Sequence, residues 1–154
     1  MGADRAWNPH VTVAAVVERD GRFLLVEEET TEGLRFNQPA GHLEEGESLV
    51  AACVRETLEE TAHDFTPTAL VGVYHWRKPG SDITYVRFAF AGEIGREHAG
   101  RTLDEGILRA TWLDAAELAA ARGRFRSPLV QACINDYRAG KRYPLELIRH
   151  FEER

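Results

Sequence analysis

Residues 41–60 read GHLEEGESLVAACVRETLEE. Ser48 has the form of a helix N-cap, and the pattern that follows predicts a helix from about Ser48 to Thr61. On that helix Glu56, Glu59 and Glu60 stand at i, i+3 and i+4, so all three leave one face close together. Like charges so placed cost roughly 0.2–0.5 kcal/mol per pair on an exposed helix, and more when partly buried. Leu49, Ala52 and Cys53 form an apolar stripe on the same face one to two turns earlier, so the carboxylates terminate a core-facing stripe. Without a cation this is unfavourable. A hard cation resolves the conflict, because Mg²⁺ takes carboxylate and water oxygens and shares its remaining positions with substrate phosphates. Arg55 precedes Glu59 by one helical turn and can orient it, and Glu47, just before the helix, can hold Arg55. A bare trio of glutamates is more often a solvated face; the wider spacing argues against that here.

That spacing is Gly, five residues, Glu, seven residues, Arg-Glu, two residues, Glu-Glu. It resembles the box of the Nudix hydrolase superfamily, whose first-glycine and charged positions are filled by Gly41, Glu47, Arg55, Glu56, Glu59 and Glu60. Over 41–63 three residues depart from the pattern. Thr57 and His63 stand at apolar positions, and Ala62 replaces a closing glycine expected to end the helix in a left-handed conformation. Ala62 therefore puts the local geometry in question, while no ligand position is lost. Pro9–Ala14, Asn37–Leu43, Arg87-Phe88, Arg126–Val130 and Arg142–Glu146 extend the likeness, to bacterial phosphatases of that superfamily.

The resemblance implies an α/β (α+β) fold, an α/β/α sandwich with a mixed β-sheet, spanning residues 1–154 as one domain. It implies Mg²⁺, with Mn²⁺ as a substitute, held by Glu56, Glu59 and Glu60 with help from the Gly41 carbonyl. Glu56 is the first choice of general base, and Asp104 or Glu105 the candidate distal acid. The implied activity is release of orthophosphate from nucleoside di- and triphosphates, or hydrolysis of hydroxymethylpyrimidine diphosphate, a thiamine precursor. A pyrophosphohydrolase of the MutT kind, releasing pyrophosphate, is the alternative within the class. A catalytically silent nucleotide sensor is the alternative outside it; such modules lose box carboxylates, and none is lost here.

Before the box, His10–Val17 is almost continuously apolar, as a buried strand would be, and Asp20-Gly21 predicts a hairpin to a strand over Arg22–Glu28. Thr31 to Gly46 reads as a Gly/Pro-punctuated loop, and Glu27-Glu28-Glu29 as a solvated strand end. After the box, strands are expected over Ala69–Arg77, Ile83–Ile94 and Leu108–Leu113. Alternation in the second puts Tyr85, Arg87 and Ala89 on one side and Val86, Phe88 and Phe90 on the other. Asp114 and Glu117 form a capping box for a second helix, and Ser127-Pro128 opens a third that Gly140 closes.

Several residues outside the box are candidates for substrate contact. Arg87, in an apolar strand, needs an anionic partner, either phosphate or a box glutamate, with a structural salt bridge as the alternative. Arg126 and Ser127 stand at a helix N-terminus, where free N–H groups favour phosphate, with an ordinary N-cap beside an exposed arginine as the alternative. Asn37 and Gln38 can read the polar edge of a pyrimidine, with Tyr74 or Trp76 stacking on its ring, although strand aromatics are more often core. His42 can reach phosphate or be a plain turn residue.

The chain's 154 residues, 44% hydrophobic and 29% charged, suit one globular core. A net charge of −6 argues against a nucleic-acid polymer as partner, yet permits a small phosphorylated substrate if a metal mediates. No apolar run suits a membrane span, and residues 1–7 lack the apolar stretch of a secretory signal. Cys53 and Cys133, too few for a disulfide framework, read as buried thiols in a reducing cytoplasm. A monomer or a homodimer fits equally.

Overall fold

Hydrophobic alternation along the first strand organises the molecule. In the computed structural model, which describes residues 6–152, strand β1 (His10–Val16) is central to a four-stranded mixed sheet. It pairs antiparallel with β5 (Ala40–His42) and parallel with β7 (Thr84–Glu97), and β6 (His63–Arg77) completes the order β5-β1-β7-β6. Val13 and Ala15 face helix α1 (Leu49–Thr61), packing with Ala52 and Cys53. Ala14 and Val16 face the other way, toward Val130, Cys133 and Ile134 of helix α3 (Pro128–Arg138). One sheet between two helices is the expected sandwich, and a strand buried on both faces explains the apolar run from Val13 to Val16. A second sheet sets β3 (Arg22–Thr30) against β2 (Glu18–Arg19), β4 (Gly33–Asn37) and β8 (Ile107–Leu113). The reading of residues 1–5 lies outside the described residues.

Caps form where the side chains called for them. Ser48 Oγ accepts from the Ala51 N–H at 3.0 Å. Asp114 and Glu117 close a reciprocal capping box on α2 (Ala115–Ala121), and Ser127 caps α3 with Pro128 in its first turn. The doubt over Ala62 is resolved by its backbone: at φ 60° and ψ 21° it adopts the left-handed conformation despite its Cβ, and its N–H reaches Leu58 O at 2.9 Å. Thr57, fully buried at an apolar position, satisfies its hydroxyl on Cys53 O at 2.8 Å. Both cysteines are free and buried. No helix among the described residues is long and apolar enough to cross a membrane.

Three expectations need correction. The stretch read as a loop contains two short strands: β4, which folds straight back on β3 through a turn at Thr31 and Glu32, and β5, which pairs with β1. Strand β6 begins six residues before Ala69 and runs through Pro67; an edge strand with a register shift beside the proline tolerates its missing N–H. The third is the acidic end of β3. Glu27 is buried, accepting from Arg109 Nε at 3.0 Å and from Arg124, and Glu28 is largely covered by Arg126.

Candidate active site

The box folds into a cluster braced from both sides. On α1, Glu56 and Glu60 are buried where the apolar stripe ends, while Glu59 stays partly exposed. The loop after β7 brings Asp104 alongside, its N–H donating to Glu59 O at 3.0 Å. One carboxylate oxygen each from Glu56, Glu60 and Asp104 lies within 4.8 Å of the others. Glu105 is exposed and not part of this group.

Arg55 holds the assembly together. Its guanidinium grips Glu47 with two hydrogen bonds, Nε to Oε2 at 3.1 Å and Nη2 to Oε1 at 2.7 Å. Nη1 reaches Glu56 at 2.7 Å and Glu59 at 3.3 Å, and Nη2 also donates to His42 O at 3.0 Å. The hydrogen bond from Arg55 keeps the Glu47 carboxyl below its ordinary range. Burial acts oppositely on the cluster. It raises Glu56 against the pull of Arg55, raises Asp104 with help from Glu59, and pushes Glu60 up to about 8.

Strand β5 supplies the facing backbone. A Cβ on residue 41 would overlap the Glu56 carboxylate, so only glycine fits. The Ala40 N–H donates to Glu60 Oε1 at 2.9 Å. Alternation corrects one expectation about this strand. The carbonyl of Pro39 and the N–H of Leu43 bond to β1, so the intervening Gly41, paired with Val13, also turns its carbonyl into that ladder. The groups of Ala40 and His42 point away from β1, as their bonds to Glu60 and Arg55 attest. The backbone carbonyl on the carboxylate side therefore belongs to Ala40, not Gly41. All donors here are hard oxygens, and burial makes their ionisation unfavourable without positive charge. The set fits a hard divalent cation.

Beside Gly41 opens a cleft of about 200 Å³. Arg87 is 5% exposed and lines it without touching any carboxylate: Nη1 donates to Gln38 Oε1 at 2.8 Å and Nη2 to Asn37 Oδ1 at 3.0 Å. Among the described residues its Nε has no partner. Neither a box glutamate nor a salt bridge accounts for this buried cation, so two amides fix it while its charge stays unpaired. Gln38 does not reach the cleft; it is sealed between Arg87 and Val130 O, 3.0 Å away. Asn37, His42, Arg126 and Ser127 do line it. His42 Nε2 lies 3.0 Å from His10 Nδ1, and burial followed by that neighbour lowers its pKa. Tyr74 is turned to Asp136, donating at 2.7 Å, whereas Trp76 lies on the cleft stacked on Tyr85 at 5.8 Å and 20°. Tyr85, Lys78 and Glu28 are lining residues that sequence reasoning passed over. The strand alternation already put Tyr85 beside Arg87; no local signal marks the other two. A wider depression of about 610 Å³ between His10 and His150–Glu152 holds none of the three clustered carboxylates.

Fold and site together define a class. The NUDIX domain model matches residues 8–133, and the chain belongs to the NUDIX family, as a hydrolase acting on phosphorus-containing anhydrides. It is 41% identical over 145 residues to Phosphatase NudJ of Escherichia coli K12, covering 94% of each chain, and equally to that of Shigella flexneri. A NUDIX hydrolase structure from Nitrosomonas europaea superposes with a TM-score of 0.91 at 50% identity, over 94% of this chain and 98% of that one. A MutT protein from Methanosarcina mazei, 20% identical with a TM-score of 0.69 over 90% of this chain and all of that one, shares the fold alone.

Proposed function

We propose that the chain, as one domain with its box at 41–63, releases orthophosphate from nucleoside di- or triphosphates or from hydroxymethylpyrimidine diphosphate. The observation that carries this is the approach of Glu56, Glu60 and Asp104 oxygens to within 4.8 Å beside an arginine-lined cleft. The name Phosphatase borne by the Escherichia coli relative supports the product. Glu56, Glu59 and Glu60, with the Ala40 carbonyl, would hold Mg²⁺ or Mn²⁺. When bound, the ion neutralises phosphate charge and polarises the phosphorus centre.

The chain's own groups do the rest. Arg87, Arg126 and Ser127 bind phosphate, with His42 at the rim. Asn37 and Gln38 hold Arg87 in place, and Trp76 on Tyr85 offers a face to a heterocycle. Arg55 and Glu47 fix the directions of Glu56 and Glu59. Glu56, whose pKa burial raises against the pull of Arg55, takes a proton from the water that attacks phosphorus. As the new P–O bond forms at the terminal phosphorus, its bond to the bridging oxygen breaks; that oxygen departs with the substrate shortened by one phosphate, and the attacked phosphorus is released as orthophosphate. Alignment and electrostatic complementarity supply most of the rate. The protein works in the cytoplasm as a monomer or homodimer, with neither a nucleic-acid polymer nor a membrane as partner.

The test is a screen with Mg²⁺ over nucleoside di- and triphosphates and hydroxymethylpyrimidine diphosphate, assaying phosphate and pyrophosphate separately. Orthophosphate is expected, and Glu60→Gln should lose orders of magnitude in kcat while staying folded. Pyrophosphate as the product would move the enzyme to the MutT kind. Undiminished turnover in Glu60→Gln would remove the metal assignment.

A further inference from the structure

We propose that Glu28 is a positioning residue that aims Arg126 across the cleft; the inference rests on the phosphate-binding role just given to Arg126. The two glutamates at the end of β3 are adjacent in sequence and differ in how they use their arginines. Glu27 spends both oxygens in hydrogen bonds, to Arg109 and Arg124, and lies off the cleft. Glu28 lines the cleft with Arg126. Its Oε1 is buried and 2.7 Å from Arg126 Nη1, yet it accepts no hydrogen bond. The guanidinium therefore lies over the oxygen without pointing an N–H at it. Such a contact is Coulombic and leaves the directional donors of the arginine free for another anion.

The geometry around the pair separates anchoring from aiming. The main chain at Arg126 is fixed without Glu28, because its N–H donates to Phe36 O at 2.8 Å and the next residue caps α3. What remains to be set is the direction of a long side chain that is 46% exposed, against 14% for Glu28. A carboxylate on the cleft floor sets it. Glu28 and Arg126 line the same cleft as Gly41 and Arg87. A phosphate entering between Arg87 and Arg126 meets donors already turned toward it, which lowers the ordering cost of binding.

The experiment is a double-mutant cycle on Glu28→Gln and Arg126→Ala. It uses Mg²⁺ and whichever nucleoside diphosphate the phosphate-release screen ranks first. Glu28→Gln is expected to raise KM roughly tenfold, the size of one charge-assisted contact, with kcat changed by less than about threefold. In the Arg126→Ala background it should change KM no further, because it acts through that guanidinium. Glu28→Asp, which keeps the charge and the fold but shortens the reach, is expected to raise KM severalfold with an unaltered melting temperature. Wild-type KM in either Glu28 variant, or multiplicative effects in the double variant, would overturn the proposal. Glu60→Gln run in parallel keeps the two failures apart: full activity there sinks the functional reading itself, whereas its inactivation beside an additive cycle sinks only the role of Glu28.

Discussion

A carboxylate buried among other carboxylates should leave its mark on stability, and Glu60→Gln measures it. The ordinary value for this group is 4.5, and burial raises it to about 8 in the folded chain. Between those values the folded protein keeps a proton that the unfolded chain has released. Unfolding free energy therefore falls as pH rises through that window: the contribution is whole below 4.5 and gone above about 8. Each pH unit inside the window is worth about 1.4 kcal/mol, so going from pH 5 to 7 removes up to about 3 kcal/mol. A protein of this size moves its Tm by roughly 2–4 °C per kcal/mol, so the metal-free wild type should drop by up to about 6–12 °C relative to the Gln variant. Taking the difference cancels Glu47 and Glu27, whose lowered values act in the opposite sense at lower pH. Added Mg²⁺ should close the gap, since a ligand that binds only the native state stabilises it. Melting curves by circular dichroism in metal-free buffer, then with Mg²⁺, suffice. Wild-type and Gln curves running parallel from pH 5 to 8, indifferent to Mg²⁺, would refute the reasoning.

Gly41→Ala drives a methyl group into the Glu56 carboxylate; phosphate release should fall at least about a hundredfold, as expected when a cluster is displaced by an ångström. Ala62→Gly relieves a left-handed alanine and should stabilise by about 1 kcal/mol, read as a higher urea midpoint with kinetics unchanged. Glu27→Gln leaves Arg109 and Arg124 without their carboxylate, and the same titration should show a loss of about 1–3 kcal/mol. Arg87→Met keeps the volume but strands the acceptors of Asn37 and Gln38; KM should rise at least about tenfold, and an unchanged KM would take Arg87 out of substrate binding.

The helix of the box was readable because everything that defines it is local: a serine cap, an apolar stripe and three glutamates one turn apart. The caps of α2 and α3 were legible for the same reason. Strands β4 and β5 were not: β4 is a short hairpin return of β3 whose opening Gly33 reads as loop, and the three residues of β5 are a strand only through pairing with β1, far off in sequence. The acidic run on β3 looked solvated because its partners, Arg109, Arg124 and Arg126, lie more than eighty residues away. Arg87 was recognised as needing an explanation, but the sequence could not say that amides rather than acids would hold it. That the Ala40 carbonyl rather than that of Gly41 faces the carboxylates follows from the pairing of β5 with β1, which a motif does not show.

Two arginine side chains beside the cleft are tied to the body of the protein by electrostatic clasps, although their main chain is held by other bonds. The stretch carrying Arg124 and Arg126 reaches β3 through Glu27 and Glu28, with partly exposed guanidinium groups over largely covered carboxylates. Ionic fastenings at a surface weaken as ions crowd in, over a screening length of about 8 Å at physiological strength. The aim of these guanidinium groups thus answers to the surrounding electrolyte, and the grip on an anionic guest slackens with salt for two reasons: weaker attraction to the guest, and a less firmly directed Arg126 to receive it.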